Sequence, residues 1–287
     1  MDPEHRLLII EAIEQALEGG PPVAVATVVS AGYLPLVEVG AKLLVRPGGE
    51  TGGTLGSEAA DETIVTAARQ AFSDFPRLQT QTLYLGPEGE AVARRSQAQS
   101  GDAEVMLQLF EAPAKLVVVG GGHIGLALAQ FGELLGYTIS VLDDREAFAN
   151  RERFPMAEAI YSGDMDEALR SMELDQQTYV VLVSRGHRQD ELALRATVGR
   201  GAAYVGMIGS RRRTATVLRH LAEAGFDAVV LDEVSTPIGL DIGAETPEEI
   251  ALSIFAEITM LRRGGTGQRM KRERASLLGE HESGETA

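Results

Sequence analysis

The spacing of apolar residues changes character once along the chain. In the first stretch Leu7, Ile10, Ile13 and Leu17 recur at helical spacing and predict a helix, which Gly19-Gly20 and Pro21-Pro22 end. Residues 23–29 (VAVATVV) follow as a buried strand. Residues 42–45 form another, closed by the turn Pro47-Gly48-Gly49-Glu50. A helical pattern over 63–72 and strands over 83–85 and 105–110 complete the stretch. Strands and helices do not strictly alternate here, so residues 1–112 read as a small α+β domain.

Beyond Ala112-Pro113 the pattern becomes regular. Residues 115–119 (KLVVV) are a continuous apolar run ending in glycines, which suits a strand covered on both faces. A helix over 124–135 and a strand over 138–142 come next. Further strands are expected at 159–161, 179–183, 203–208 and 229–231, with helical stretches between them. Strand alternating with helix over residues 113–263 predicts a doubly wound parallel sheet, so the fold class is α/β with the boundary near 111–114. Residues 264–287 are polar and broken by glycine, the pattern of a frayed tail.

At 287 residues the chain is long enough for two domains and needs no covalent staple. It contains no cysteine, which rules out disulfides, thiolate metal sites and a cysteine nucleophile within it. With 26 Lys and Arg against 42 Asp and Glu, the net charge of −16 argues against nucleic acid and anionic membrane surfaces as partners. The acidic, amphipathic start lacks the features of a signal peptide, and no apolar run is long enough for a membrane span, so the expected location is cytoplasmic.

Against that acidic background a few loops carry candidate chemistry. Gly120, Gly121, Gly122, His123, Ile124 and Gly125 read G-x-G-x-x-G between a strand and a helix, a loop whose amides can approach a phosphate at a helix N-terminus. Asp143, with Asp144 and Arg145, ends the next strand about twenty residues on, where a ribose-binding acid would fall; a strand-end cap is the alternative. His123 could touch a ligand or cap the helix. Ser184, Arg185, Gly186 and His187, with Asp190 beyond, follow the fourth strand of this part. Arg185 offers a guanidinium fork and His187 a proton carrier, or both are surface residues with Asp190 as a cap. Gly209, Ser210 and Arg211, followed by Arg212 and Arg213, place three cations in a first helical turn, against the dipole, which makes sense beside an anion. Asp241 sits between Gly239 and Gly243 as a polar contact or a turn residue. Thr246, Pro247 and Glu249 form a capping box that opens a helix. No metal site and no catalytic group emerge from the pattern.

Together these motifs resemble the XdhC/CoxI family, the xanthine dehydrogenase accessory factors. The resemblance rests on residues 120–125, 143–145, 184–190, 206–212 and 237–249, and more loosely on 25–29, 39–42 and 52–56. It implies a Rossmann-like C-terminal domain and a maturation chaperone. Such a protein binds the molybdenum cofactor, a molybdopterin, in bare or dinucleotide form. It protects the cofactor, assists exchange of an oxo for a sulfido ligand, and delivers it to a molybdenum hydroxylase apoenzyme. The resemblance also implies a homodimer and cooperation with a cysteine desulfurase. Family members usually carry a Gly-Gly-Cys segment; here the corresponding stretches read Gly56-Ser57-Glu58-Ala59 and Ser100-Gly101-Asp102. Any cysteine-dependent step is therefore excluded for this chain, while holding through phosphate and pterin contacts is not. An NAD(P)-dependent oxidoreductase using the same loop is the alternative. A degenerate homologue that only binds a partner protein is a third.

Overall fold

The computed structural model describes residues 3–34, 37–74 and 79–271. The expected tail therefore falls largely outside the described residues.

The first part is an antiparallel sheet with a helix on each face. Its strands are β1 (Val23–Ser30), β2 (Lys42–Val45), β3 (Thr51–Gly53), β4 (Thr80–Leu85), β5 (Ala91–Val92) and β6 (Ala103–Phe110), ordered β3-β2-β1-β6-β4-β5. Helix α1 (Pro3–Leu17) covers one face through Ile9, Ala12 and Ala16, which meet Val23, Val25 and Leu44. Helix α2 (Glu58–Ser73) covers the other through Ala60, Ile64 and Ala68, against Ala24, Ala26, Leu43 and Val105. The alternation of β1 residues between these two clusters is the period-2 pattern of a strand buried on both faces. The spacing of Leu7, Ile10 and Leu17 announces α1, yet these three side chains are exposed. The small Ile9-Ala12-Ala16 stripe lets the helix lie close to the sheet.

The second part is a five-stranded sheet in which every recorded pairing is parallel. Its strands are β7 (Lys115–Val119), β8 (Thr138–Asp143), β9 (Ala159–Ser162), β10 (Thr178–Leu182) and β11 (Tyr204–Met207), ordered β11-β10-β7-β8-β9. Helices α3 (His123–Leu134), α4 (Met165–Ser171), α5 (His187–Thr197), α6 (Arg211–Glu223), α7 (Ala228–Asp232) and α8 (Pro247–Arg263) complete it. Leu116 and Val118 face α3 and α8, whereas Val117 and Val119 face α4, α5 and α6. This double coverage is why KLVVV has no polar alternation. The segment 144–158 between β8 and β9 has no helix; Phe154 and Ala157, buried in the α3–α8 core, anchor it.

One expected strand is corrected. Residues 229–231 lie in the one-turn helix α7, whose N-cap Asp227 accepts a hydrogen bond from the Val229 amide. Val229 is exposed and only Leu231 is buried, so the apolar triplet never had two faces to fill. The edge beyond β11 is instead taken by an irregular segment. Ser235 bridges Gly206, and the Gly239 amide and the Tyr204 hydroxyl both donate to Glu257 on α8. Thr246 and Glu249 make both reciprocal bonds of the expected capping box.

Candidate functional site

Strand register decides which residues share the carboxyl edge of the parallel sheet. Val119 pairs with Leu142 on one side and Leu182 on the other, so Gly120, Asp143 and Val183 emerge side by side, with Ser184 next along the chain. Strand β7 is also where the strand order reverses, and the crevice outside such a switch point is where open α/β sheets take ligands. A cavity of about 180 Å³ opens there. It is lined by Gly120, Asp143, Asp144, Arg145, Met165, Ser184, Arg185 and Gln189.

The glycines of the loop are not equivalent. Gly120 has φ +119°, and a Cβ there would lie 2.7 Å from the Val183 carbonyl oxygen. A Cβ at Gly121 would lie 1.9 Å from the Phe148 carbonyl oxygen, and one at Gly125 1.9 Å from that of Gly120. These three positions need glycine for packing. Gly122 differs: its φ is −67° and a Cβ would meet nothing within 4 Å. Only at Gly122 does an absent side chain leave open space.

The helix termini sort in the same way. Ser57, Asp164, Ser210, Asp227 and Thr246 each cap their helix through a side chain. Among the described N-caps, only Gly122 of α3 and Gly186 of α5 lack a side-chain cap. These two helices begin directly after β7 and β10, the strands that flank the switch point. A terminus without a side-chain cap, at the positive end of the helix dipole, can receive an anion.

Asp143 is buried, and its carboxylate is fully occupied. Oδ2 accepts from the Gly121 amide (2.9 Å) and Arg145 Nη2 (3.0 Å), and Oδ1 from the Arg145 amide (3.1 Å) and Nε (2.9 Å). A carboxylate has about four acceptor positions, so none is left for a sugar hydroxyl. Burial would raise the Asp143 carboxyl, but the Arg145 guanidinium and the two amides outweigh it and hold the group below its ordinary value. The acid is thus a tie between the glycine loop and the end of β8. Asp144, half-exposed, accepts from Gln189 Nε2 (3.2 Å) across the cavity.

Arg185 lines the cavity with its guanidinium 5.1 Å from the Phe148 ring, a ring that Arg145 also covers at 3.8 Å. Ser184 donates to the fully buried Asp190 (2.5 Å), which also pairs with Arg213. Asp190 lies inside α5, so it is not that helix's cap.

The other expected site residues are placed as follows. His123 is exposed at the start of α3, and Ile124 packs against the α3–α8 core. His187 opens α5, and its side chain lies outside the described residues. Gly209 and Ser210 precede α6, and Ser210 accepts from the Arg213 amide. Arg211 is exposed at the same edge but does not line the cavity. Asp241 is exposed on the segment that Ser253 of α8 holds through Leu240, away from the lining. Sequence reasoning overlooked Met165, Gln189, Phe148 and Arg153. Arg153 Nε donates to the Gly121 carbonyl (2.9 Å) and steadies the loop from below. No motif marks the 144–158 segment, although a Phe and two Arg flanking it were a signal. Among the described residues no three His, Asp or Glu side chains converge as a metal site. No described helix is long and apolar enough to cross a membrane.

In the first part, residues 39–42 and 53–56 meet around a second cavity of about 380 Å³ that His5 also lines. Ser57, next to it, caps α2.

Comparison with known proteins agrees with this architecture. Residues 116–258 match the model of the XdhC Rossmann domain and residues 16–81 that of the XdhC and CoxI family. An uncharacterized Escherichia coli protein, YqeB, is 30% identical over 230 residues, covering 79% of this chain and 41% of that protein. A probable xanthine dehydrogenase subunit from Bacillus subtilis is 27% identical over 161 residues, covering 55% of this chain and 46% of its own length. The matches thus span less than half the length of these curated relatives. A solved Bacillus halodurans structure described as a xanthine dehydrogenase superposes with a TM-score of 0.50 at 17% identity, covering 94% of this chain and 99% of that one. At that identity it shows the shared fold.

Proposed function

The chain belongs to the XdhC and CoxI family, and from that premise we propose that it is a maturation factor for a xanthine dehydrogenase-type molybdenum hydroxylase. It holds the molybdenum cofactor by its phosphate end at the switch-point cavity, shields it, and hands it to the apoenzyme. The observation that carries this reading is the pair of uncapped helix N-termini, at Gly122 and Gly186, beside a cavity that Arg185 and Arg145 line. In a chain of net charge −16, that is a local site for an anion.

Size supports cargo rather than a sequestered reactant. Pockets that enclose drug-sized ligands measure about 300–1,000 Å³. The 180 Å³ here accepts a phosphate group and little more. The pterin end would lie outside the cavity, where a partner enzyme can reach it. With no cysteine, the chain cannot itself ligate molybdenum through a thiolate or relay sulfur. Sulfuration then needs a separate donor, for which a cysteine desulfurase is the fitting partner, and a homodimer belongs to the same proposal. The NAD form of the nicotinamide alternative needs a free acid for the ribose, and the Asp143 carboxylate is already filled.

Thermal unfolding with molybdopterin, NADH and NADPH in turn tests the proposal. A native-state ligand at a hundred times its Kd stabilises by about 2.7 kcal/mol. Stabilisation by molybdopterin is expected. Stabilisation by a nicotinamide nucleotide alone, with hydride transfer to an organic acceptor, would replace this reading by the oxidoreductase.

A further inference from the structure

Helix α6 opens with three arginines, and the switch-point cavity accounts for none of them. Arg213 turns inward to the buried Asp190. Arg211 and Arg212 are exposed and have no ion pair among the described residues. Arg188, the second residue of α5, is likewise exposed and without one. Between α5 and α6 runs an open groove of about 600 Å³, lined by Arg188 and Glu191 from one helix and Arg212, Thr216, Val217 and His220 from the other. Glu191 is its one acid, and that carboxylate is engaged by Arg195 (2.9 Å) and His220 (3.1 Å). Arg213 also lines the groove, and its Nε is buried with no partner. Unbalanced guanidinium charge therefore collects around a concavity with an apolar floor at Val217, on a strongly acidic molecule.

We propose that this groove is a second anion site, separate from the switch-point cavity, that takes a phosphorylated small molecule. Guanidinium forks match phosphate oxygens in pairs. The groove's volume falls in the range of small-ligand pockets, whereas a protein surface would need a broad and flatter face. The two sites share one wall. Ser184 lines the first, Arg213 lines the second, and buried Asp190 bonds both. The groove does not depend on the glycine loop, so the proposal stands apart from the cofactor reading.

Calorimetric titration of the full chain with inorganic pyrophosphate tests it, using wild type, Arg188→Gln/Arg212→Gln and Gly122→Val. The replaced arginines are exposed and a Cβ at Gly122 meets nothing within 4 Å, so both variants should fold, which near-ultraviolet circular dichroism verifies. The double variant is expected to weaken groove binding at least tenfold, and Gly122→Val to leave that event unchanged. A single pyrophosphate event in wild type that the double variant weakens and Gly122→Val leaves unchanged would support the groove and count against the switch-point reading. Unchanged pyrophosphate affinity in Arg188→Gln/Arg212→Gln would overturn the groove proposal. So would an equal loss in Arg94→Gln/Arg95→Gln, two exposed cations of the first part, because the effect would then be net charge alone.

Discussion

Gly121 and Gly122 are neighbours, yet one added methyl group should have opposite consequences at the two positions. At Gly121 the new Cβ would stand 1.9 Å from the Phe148 carbonyl oxygen and 2.8 Å from its carbon. That oxygen is backbone and cannot rotate away. The segment carrying it is anchored by buried Phe154 and by Arg153, which itself grips the Gly121 carbonyl. Overpacking usually costs about 1–3 kcal/mol, and a rigid obstacle puts Gly121→Ala near the top, about 3 kcal/mol. At Gly122 two small terms oppose each other. Alanine is a poorer N-cap than glycine, by about 1 kcal/mol. It also reduces the freedom of the unfolded chain, which stabilises by about 0.4–1 kcal/mol at a compatible φ. Gly122→Ala should therefore change stability by less than about 1 kcal/mol, while its methyl group intrudes where a phosphate would sit. Urea unfolding followed by tyrosine near-ultraviolet circular dichroism reports on this part of the molecule. Tyr137, Tyr179 and Tyr204 stack in the α3–α8 core, with ring centroids 5.7 and 6.5 Å apart, and the chain has no tryptophan. The reasoning is refuted if Gly121→Ala is as stable as wild type, or if Gly122→Ala is the more damaging of the two.

Further outcomes follow from the same contacts. Asp143→Asn should lower stability by about 2 kcal/mol at pH 7, because a charge-assisted tie between loop and strand is lost. Since the folded carboxyl is held below its unfolded value, that contribution is present above about pH 4 and disappears as pH falls through the folded value. The gap between variant and wild type in urea midpoint should narrow between pH 5 and pH 2; a constant gap would refute the tie. Asp190→Ala leaves Arg213 half-buried without its anion and should cost about 3 kcal/mol, whereas Asp190→Ala/Arg213→Met should recover part of that loss in the same unfolding assay. Arg185→Ala should leave the unfolding midpoint in place yet weaken a phosphorylated ligand by about 1.5–3 kcal/mol in calorimetry.

Some of this arrangement is legible in the chain. The apolar run KLVVV requires cover on both faces, and the glycines after it forecast the turn onto α3. Thr246, Pro247 and Glu249 mark the start of α8. Short apolar groups were less informative: residues 229–231 satisfy either a strand or a single helical turn, and the Asp227 cap decides for the turn. The fate of adjacent like residues was not legible. Asp143 and Asp144 differ by one step of the pleat, which turns the first inward to Gly121 and leaves the second to Gln189. Arg212 and Arg213 both line the groove, but they differ by 100° of helix, and only Arg213 reaches the buried Asp190. Such choices belong to tertiary packing, because the partners Gly121, Asp190 and Gln189 are distant in sequence. Arg153 illustrates the same limit: its role depends on a loop that carries no recognisable pattern.

The central claim is that the carboxyl edge at β7 and β10 grips the phosphate end of a molybdopterin cargo. A crystal structure of the full chain with molybdopterin tests it most directly. The account predicts phosphate oxygens within hydrogen-bonding distance of the amides at the start of α3 and α5, with Arg185 lifted from Phe148 to meet them. Density for the ligand elsewhere, with Gly122 and Gly186 untouched, would contradict it.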